Sequence, residues 1–386
     1  MKKQLTRIAS WMLLATMGQA GAFAQNIRID MNQTYPEKTI NLQKVADVKY
    51  IPLETTDEVL FNGIVTNLSA EGIAGFNKKE GDILVFDGTG KAIASFNHTG
   101  QGPNEYNKIY HLDVDWKQKE VYVQDNFRQK IRIYGLDGRH LRTIDLQETM
   151  QEGDLYSFSD THLIYYAKPK SKPVTAYEPV TLLSQKDASK VTLPFTKTDD
   201  NLVKATGGPF GDMKMSAKNV NLLCKKGDEV YVNEVTADVI YRVESNHALT
   251  PVVERTPSYQ DASGQDFFLM LTGANARYYF FKRQQALLEF QGNAATDTKS
   301  TYVAYDRKEK QLLNPTFTNE DYPSQDIPMS KLLQCAGSAN RCYLQLEAFK
   351  LKEALAEGKL KGTLKSIAEK LDEEDNPVLM VVEFKK

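Results

Sequence analysis

Two stretches of this chain can be laid on each other without a gap. Ile83-Leu84-Val85-Phe86-Asp87-Gly88-Thr89-Gly90-Lys91-Ala92-Ile93 matches Ile131-Arg132-Ile133-Tyr134-Gly135-Leu136-Asp137-Gly138-Arg139-His140-Leu141. Apolar residues coincide at Ile83/Ile131, Val85/Ile133 and Ile93/Leu141, aromatics at Phe86/Tyr134, and the turn glycine at Gly90/Gly138. Each copy reads as a hairpin whose turn needs a positive φ, which glycine adopts without a Cβ clash. The offset is about the length of one propeller blade. Looser copies follow: Glu229-Val230-Tyr231-Val232 leading into Val239-Ile240-Tyr241-Arg242-Val243, and Tyr302-Val303-Ala304-Tyr305-Asp306-Arg307 leading to Leu312 and Leu313. Units of this kind cannot bury both faces alone, but they can when stacked around an axis.

The rest of the chain fits that plan. Its 386 residues suit one repeat fold, and 41% hydrophobic with 10% aromatic residues is ample for a core. Leu163-Ile164-Tyr165-Tyr166, Val180-Thr181-Leu182-Leu183 and Tyr278-Tyr279-Phe280-Phe281 read as buried strands. Val48-Lys49-Tyr50-Ile51-Pro52-Leu53 reads as a strand near an edge, because proline cannot donate to a ladder. One region, 347–371, has helical spacing of Leu351, Leu355, Leu360, Leu364, Ile367 and Leu371, interrupted by Gly358 and Gly362. Val378-Leu379-Met380-Val381-Val382-Glu383-Phe384 then predicts a closing strand that shares a blade with N-terminal strands and removes a free sheet edge.

The first residues read as an export signal. Lys2, Lys3 and Arg7 precede a mostly apolar run at 8–17, and Ala22-Phe23-Ala24 fits a cleavage site. The expected organisation is a cleaved signal at 1–24 and one domain at 25–386, in the periplasm or outside the cell. No cysteine near the cleavage site suggests a lipid anchor, and no later run approaches a transmembrane length. Cys224 reads as a buried small hydrophobe. Cys335 and Cys342 can close a disulfide only if the segment between them is not helical, since on a helix they lie roughly 10 Å apart.

A formal net charge of -2, with bases interspersed among acids, gives no footprint for nucleic acid. Gly100-Gln101-Gly102-Pro103 could suggest a phosphate cradle, but such a cradle needs a helix N-terminus behind it. Here Tyr110, Leu112, Val114 and Trp116 alternate with His111, Asp113 and Asp115 and predict a strand. Gly100, Gly102, Pro103, Glu105 and Tyr106 therefore read as a structural loop between blades, with Glu105 and Tyr106 anchoring its amides. His98, Glu105, His111 and Asp113 are the candidate metal ligands, without an HxH or HExxH pattern among only five histidines. No Gly-x-Ser-x-Gly elbow is present. Arg128, Arg132 and Arg142 read as surface charges, and Asp199-Asp200 and Asp372 to Asp375 as solvated turns. Tyr110, Tyr122, Tyr134, Tyr231 and Tyr241 could stack on a ligand, although strand packing accounts for most of them.

Ile51-Pro52-Leu53-Glu54-Thr55-Thr56, Val85-Phe86-Asp87 with Gly90-Lys91, Gly100-Gln101-Gly102-Pro103-Asn104-Glu105-Tyr106 and Asp375-Asn376-Pro377-Val378-Leu379-Met380 occur in this order along the chain. In this the sequence resembles the exported six-bladed β-propeller proteins of Gram-negative gut-type bacteria, which are related to NHL-repeat propellers. The approach to the first hairpin, 72–82, departs from the family, which shows a clearer strand there. The resemblance implies an all-β, six-bladed β-propeller with a helical insertion near the C-terminus, and no common activity. Besides a scaffold whose inserted helix, Glu347 to Leu371, docks to another protein, two functions remain open on fold analogy. One is a non-enzymatic, monomeric propeller that binds a glycan, peptide or envelope protein on one face of the ring and needs no cofactor. The other is a metal-dependent hydrolase or lyase, lactonase-like, with calcium or zinc in the central channel.

Overall fold

The structure, a computed structural model, describes residues 27–385 except 126, 147–148, 169–176, 197–201, 207–212, 217–221, 260, 262–266, 292–293, 296–298 and 339. The expected signal at 1–24 and the Asp199-Asp200 turn lie outside the described residues.

Six sheets form the blades of a propeller. Blade 1 runs outward through Ile64–Leu68, Gly72–Phe76, Ile83–Asp87 and Ala92–Phe96. Blade 2 uses His111–Asp115, Glu120–Asp125, Lys130–Gly135 and His140–Asp145. Blade 3 begins with Thr149–Ser159, blade 4 with Leu223–Lys226 and blade 5 with Phe267–Ala274. Blade 6 orders Arg341–Leu346, Val378–Phe384 and Ala46–Pro52. The innermost strands of blades 1 to 5 touch in succession around the axis. A further small sheet joins Leu202–Thr206, Met213–Ser216, Leu287–Gln291 and Ala294–Ala295 outside the blades.

The aligned hairpins are the two outer strands of blades 1 and 2, and their turn glycines take φ of 92° and 81°. Strand alternation sends neighbouring side chains to opposite faces, and in these blades both faces are covered. Ile83 and Val85 pack with Leu112, Val121 and Val123 of blade 2. Leu84 and Phe86 pack instead with Tyr343, Leu379 and Val381 of blade 6. A strand buried on both sides reads as a continuous apolar run, which is why Ile83–Asp87 was legible. Gly72–Phe76 was not, yet it is the fully buried second strand of blade 1 and restores the strand missed at 72–82. Its glycines reflect close packing: a Cβ on Gly75 would sit 2.4 Å from the Ile64 carbonyl oxygen.

The predicted helical insertion is present as two helices, Ala348–Ala356 and Gly362–Ala368, divided where the glycines interrupt the pattern. Gly358 ends the first with φ of 71°, where an L-side chain is strained. Leu351 and Leu364 pack onto Tyr278, Phe280, Phe317 and Phe384 at the junction of blades 5 and 6.

Ring closure involves three N-terminal strands. Ala46–Pro52 pairs antiparallel with Val378–Phe384, and its Pro52 lies in an edge strand as expected. Ile27–Asp30 and Glu37–Asn41 add parallel outer strands to blades 4 and 5. Asn376 locks the last joint. Its amide donates to the carbonyls of Glu54 and Val59 at 2.7 and 2.8 Å, while its side-chain oxygen accepts from Phe61 N at 2.6 Å. Its own backbone N–H donates to Thr55 Oγ1 at 2.8 Å. Leaving a buried polar group without a partner costs about 1–3 kcal/mol. Asn376→Ala should therefore lower unfolding free energy by about 3 kcal/mol or more, measured by urea unfolding, whereas Thr55→Val should cost only about 1 kcal/mol.

Candidate functional site

The axis of the ring is not an open bore. Residues 333–338 turn inward, and Ala336 bridges Asn67 of blade 1 and Gly227, which follows the inner strand of blade 4. Those blades stand opposite one another in a six-membered ring, so the segment crosses the axis. It is tied on other sides too: Leu333 pairs with Tyr343 of blade 6, and the Gln334 amide bonds Ala274 N and O of blade 5 at 2.7 and 2.9 Å.

Beside this crossing lies a buried polar cluster. Asp113 is fully buried and accepts from Asn67 Nδ2 at 2.7 Å, Ser157 N at 2.8 Å and Ser157 Oγ at 2.9 Å. Lys225 Nζ lies 3.6 Å from the carboxylate and donates to Ser157 Oγ at 2.6 Å. Burial alone would raise the Asp113 carboxyl, but Lys225, the Ser157 amide, His111 and Asn67 hold it below the ordinary range. His111 packs edge-on against Tyr156, and burial pushes its imidazole down to about 4, against the opposing pull of Asp113. This cluster joins the inner strands of blades 1 to 4 by charge-assisted bonds.

The four candidate metal ligands are not brought together. His98 and Glu105 lie in the loop after blade 1, whereas His111 and Asp113 lie on the inner strand of blade 2. The His98 ring stacks on Tyr134 with centroids 5.1 Å apart and its Nε2 is 2.8 Å from the Gly138 carbonyl. Glu105 accepts from Gly102 N at 2.6 Å. Among the described residues no group of three or more His, Cys, Asp or Glu side chains is arranged to hold a metal.

In the loop, Tyr106 OH donates to Gly81 O at 2.7 Å and accepts from His98 N at 2.9 Å. A Cβ at Gly100 would meet Glu105 Oε2 at 2.0 Å, so the carboxylate would have to move aside. Pro103 sits at its exposed bend. Arg128 crosses the loop and donates to the carbonyls of Gly100 and Gly102, both at 3.2 Å. Arg132 corrects the surface reading: it is fully buried and pairs with Asp125 at 2.8 Å. A strand with both faces covered has no solvent side to receive it, so its charge is matched internally. Arg142 is half-buried and pairs with Glu120, with Nη2 to Oε2 at 2.9 Å. Tyr122, Tyr134 and Tyr231 are core residues; Tyr110 and Tyr241 are partly exposed. The three cysteines are free thiols although the described residues of 335–342 are not helical. Cys224 is buried as expected. Burial pushes the Cys335 thiol up to about 12, with Lys226 opposing the rise.

The concave feature at the axis is a cleft of about 320 Å³, within the usual size of small-ligand sites. Lys226 of blade 4, Met270 and Thr272 of blade 5 and Leu333 of the crossing segment line it. Lys282 also lines it, opposite Met270 on one neighbouring strand and Tyr302 on the other. Sequence reasoning missed this site. The available signal was Lys282 immediately after Tyr278-Tyr279-Phe280-Phe281, a charge within a strand otherwise read as core. A second cleft of about 350 Å³ lies between Ala348–Ala356 and blade 6, and it carries charges of both signs in Asp326, Glu347, Lys331 and Lys350.

The buried imidazole makes a pH prediction. His111 is held neutral in the folded chain but takes a proton near its ordinary value of about 6.5 when unfolded. The unfolded state thus binds more protons between these values, and stability present at neutral pH is lost as pH falls from about 6.5 towards 4. The loss should be on the order of 2–3 kcal/mol. His111→Gln should flatten that part of a pH series of urea midpoints. The Asp113 contribution should survive in the variant and disappear only at lower pH, through its depressed folded value.

The chain is 15% identical to the "Putative exported protein (BF0058)" of Bacteroides fragilis NCTC 9343, whose structure aligns over 93% of this chain and 99% of that one with a TM-score of 0.63. A member of the DUF4221 family from Bacteroides vulgatus ATCC 8482 aligns over 89% of this chain and 98% of its own, at 9% identity and a TM-score of 0.51. At these identities the likeness is one of fold. No curated protein matches the sequence. The match to the domain of unknown function DUF4934 extends over residues 26–383. With nearly the whole chain covered, this protein is a member of the DUF4934 family.

Proposed function

We propose that this protein is an exported, non-enzymatic binding propeller that takes a peptide on one face of the ring, in the cleft beside the axis. The observation that carries this reading is the crossing of the axis by residues 333–338, which fills the centre and leaves a lined concavity at its flank. An enzyme of the channel type needs its reacting groups exposed to substrate along the bore. Here the axial carboxylate is fully buried and saturated by Asn67 and Ser157, with Lys225 beside it.

A peptide suits the cleft better than a glycan. Sugar recognition favours flat aromatic platforms, whereas this lining has Tyr302 as its one aromatic side chain and sets the hydrogen-bonding groups of Asn233, Thr272, Ser330 and Gln334 beside apolar Met270, Leu332 and Leu333, a mixture that suits a peptide's backbone and side chains. Leu333 is 49% exposed although it is held in a backbone pairing with Tyr343, so it offers an apolar anchor at a fixed position.

Fluorescence polarisation of labelled hexapeptides bearing apolar residues tests the proposal. Binding is expected, and Leu333→Asp should weaken it at least about tenfold, a loss of about 1.4 kcal/mol. Phe127→Asp, at an exposed apolar residue away from the cleft, should leave binding unchanged. Equal weakening by both substitutions would sink the assignment to this cleft.

A further inference from the structure

The cleft has an unbalanced charge. Lys226 and Lys282 both line it and no Asp or Glu does. Among the described residues neither ammonium is in an ion pair. Lys226 Nζ donates to Gln334 O at 2.9 Å, and Lys282 Nζ donates to Gln284 Oε1 at 2.7 Å. An ammonium has three donors, so each lysine keeps hydrogen-bonding capacity for another acceptor. Burial alone pushes the Lys282 ammonium below the usual lysine range, with no acidic neighbour acting against it. Its surroundings explain that cost: it stands between Met270 and Tyr302 on the flanking strands. A partly desolvated charge without an opposite charge beside it is unfavourable, and an incoming anion removes the imbalance.

The lining also restricts the kind of anion. Sites for inorganic phosphate commonly present successive backbone N–H groups or a helix N-terminus. Here the cationic groups are two lysine side chains, and an apolar wall of Met270, Met329, Leu332 and Leu333 adjoins them. A carboxylate joined directly to an apolar group meets both features at once. Capture of a peptide's terminal carboxylate with its last side chain in a pocket is an established recognition mode.

We infer that the cleft holds the carboxy-terminal end of a peptide, its carboxylate between Lys226 and Lys282 and its last, apolar side chain against Met270, Tyr302 and Leu333. Thr272 and Ser330 line the same space, and the Thr272 hydroxyl already donates to the Phe280 carbonyl at 3.2 Å. This rests on the peptide-binding reading of the cleft and adds the chemical feature that selects the ligand. Aliphatic acids share that chemistry, so the test must separate the two sources.

The probes are the acetylated peptide Gly-Ala-Ala-Leu with a free carboxylate, the same peptide as its C-terminal amide, and octanoate, each titrated calorimetrically into the full chain. The free acid is expected to bind at least about tenfold more tightly than the amide, the equivalent of one charged contact of about 1.4 kcal/mol. Lys226→Met and Lys282→Met should each weaken the acid about tenfold and leave the amide unchanged. Raised salt should weaken the acid more than the amide. Melting curves report folding of the variants; should Lys282→Met not fold, Lys226→Met and the acid–amide pair on the native chain decide. Equal affinity for acid and amide, both insensitive to the lysine substitutions but lost in Leu333→Asp, would overturn this inference and leave the peptide-binding reading standing. Octanoate binding as tightly as the peptide acid would overturn the assignment to a peptide end. No binding of either peptide would overturn both.

Discussion

Each blade of this ring is a sheet with two apolar faces, and neither face can be left in water. Leu84 and Val85 are adjacent in sequence, yet they enter different cores, one shared with blade 6 and the other with blade 2. The same division recurs in blade 5, where Tyr278 and Phe280 pack toward blade 6 while Tyr279 and Phe281 pack toward blade 4. Burying apolar area contributes roughly 25 cal/mol per Å², and a blade standing alone would forgo that gain on both sides. Stability therefore depends on closing the ring. The strand Ala46–Pro52 laid on Val378–Phe384, with Asn376 tying the joint, is the contact through which the other interfaces become complete.

Closure also creates the centre. Inner strands converge there, and their backbones leave a space that water or chain must fill. In this protein residues 333–338 fill it, making backbone contacts with blades 1, 4 and 6 and side-chain contacts with blade 5. Several polar groups near this space are paired within the protein: Asp113 with Asn67, Ser157 and Lys225, and Lys226 with the Gln334 carbonyl. These partners are unequally distributed. Lys225 faces a carboxylate, but its neighbour Lys226 faces only a carbonyl and opens onto the cleft that Lys282 shares. The flank of the crossing thus retains positive charge and apolar surface together.

Much of the fold was legible because propeller strands announce themselves locally. The repeated hairpins carry their turn glycines, the C-terminal strand carries seven residues without a break, and the Asn-Pro joint is spelled out near the end. Gly72–Phe76 was lost because its glycines lower strand propensity while serving close backbone approach. Arg132 was misplaced because a charged residue in a strand ordinarily marks the solvent face, and here Asp125 meets it inside. The metal candidates were grouped by closeness in sequence, which a propeller does not preserve: the loop holding His98 and Glu105 leads to the inner strand carrying His111 and Asp113.

The sequence by itself determined that the chain builds hairpins of one kind, stacks them, and joins its two ends in a shared blade. Those features depend on alternation, turn residues and short motifs, all of which are local. Only the tertiary structure decided that 333–338 crosses the axis, that Cys335 and Cys342 stay apart as thiols, and that Lys226 and Lys282 share one cleft. Those two lysines are 56 positions apart and belong to different blades. Their common surroundings follow from the convergence of strands around an axis, a relation that no pattern along the chain encodes.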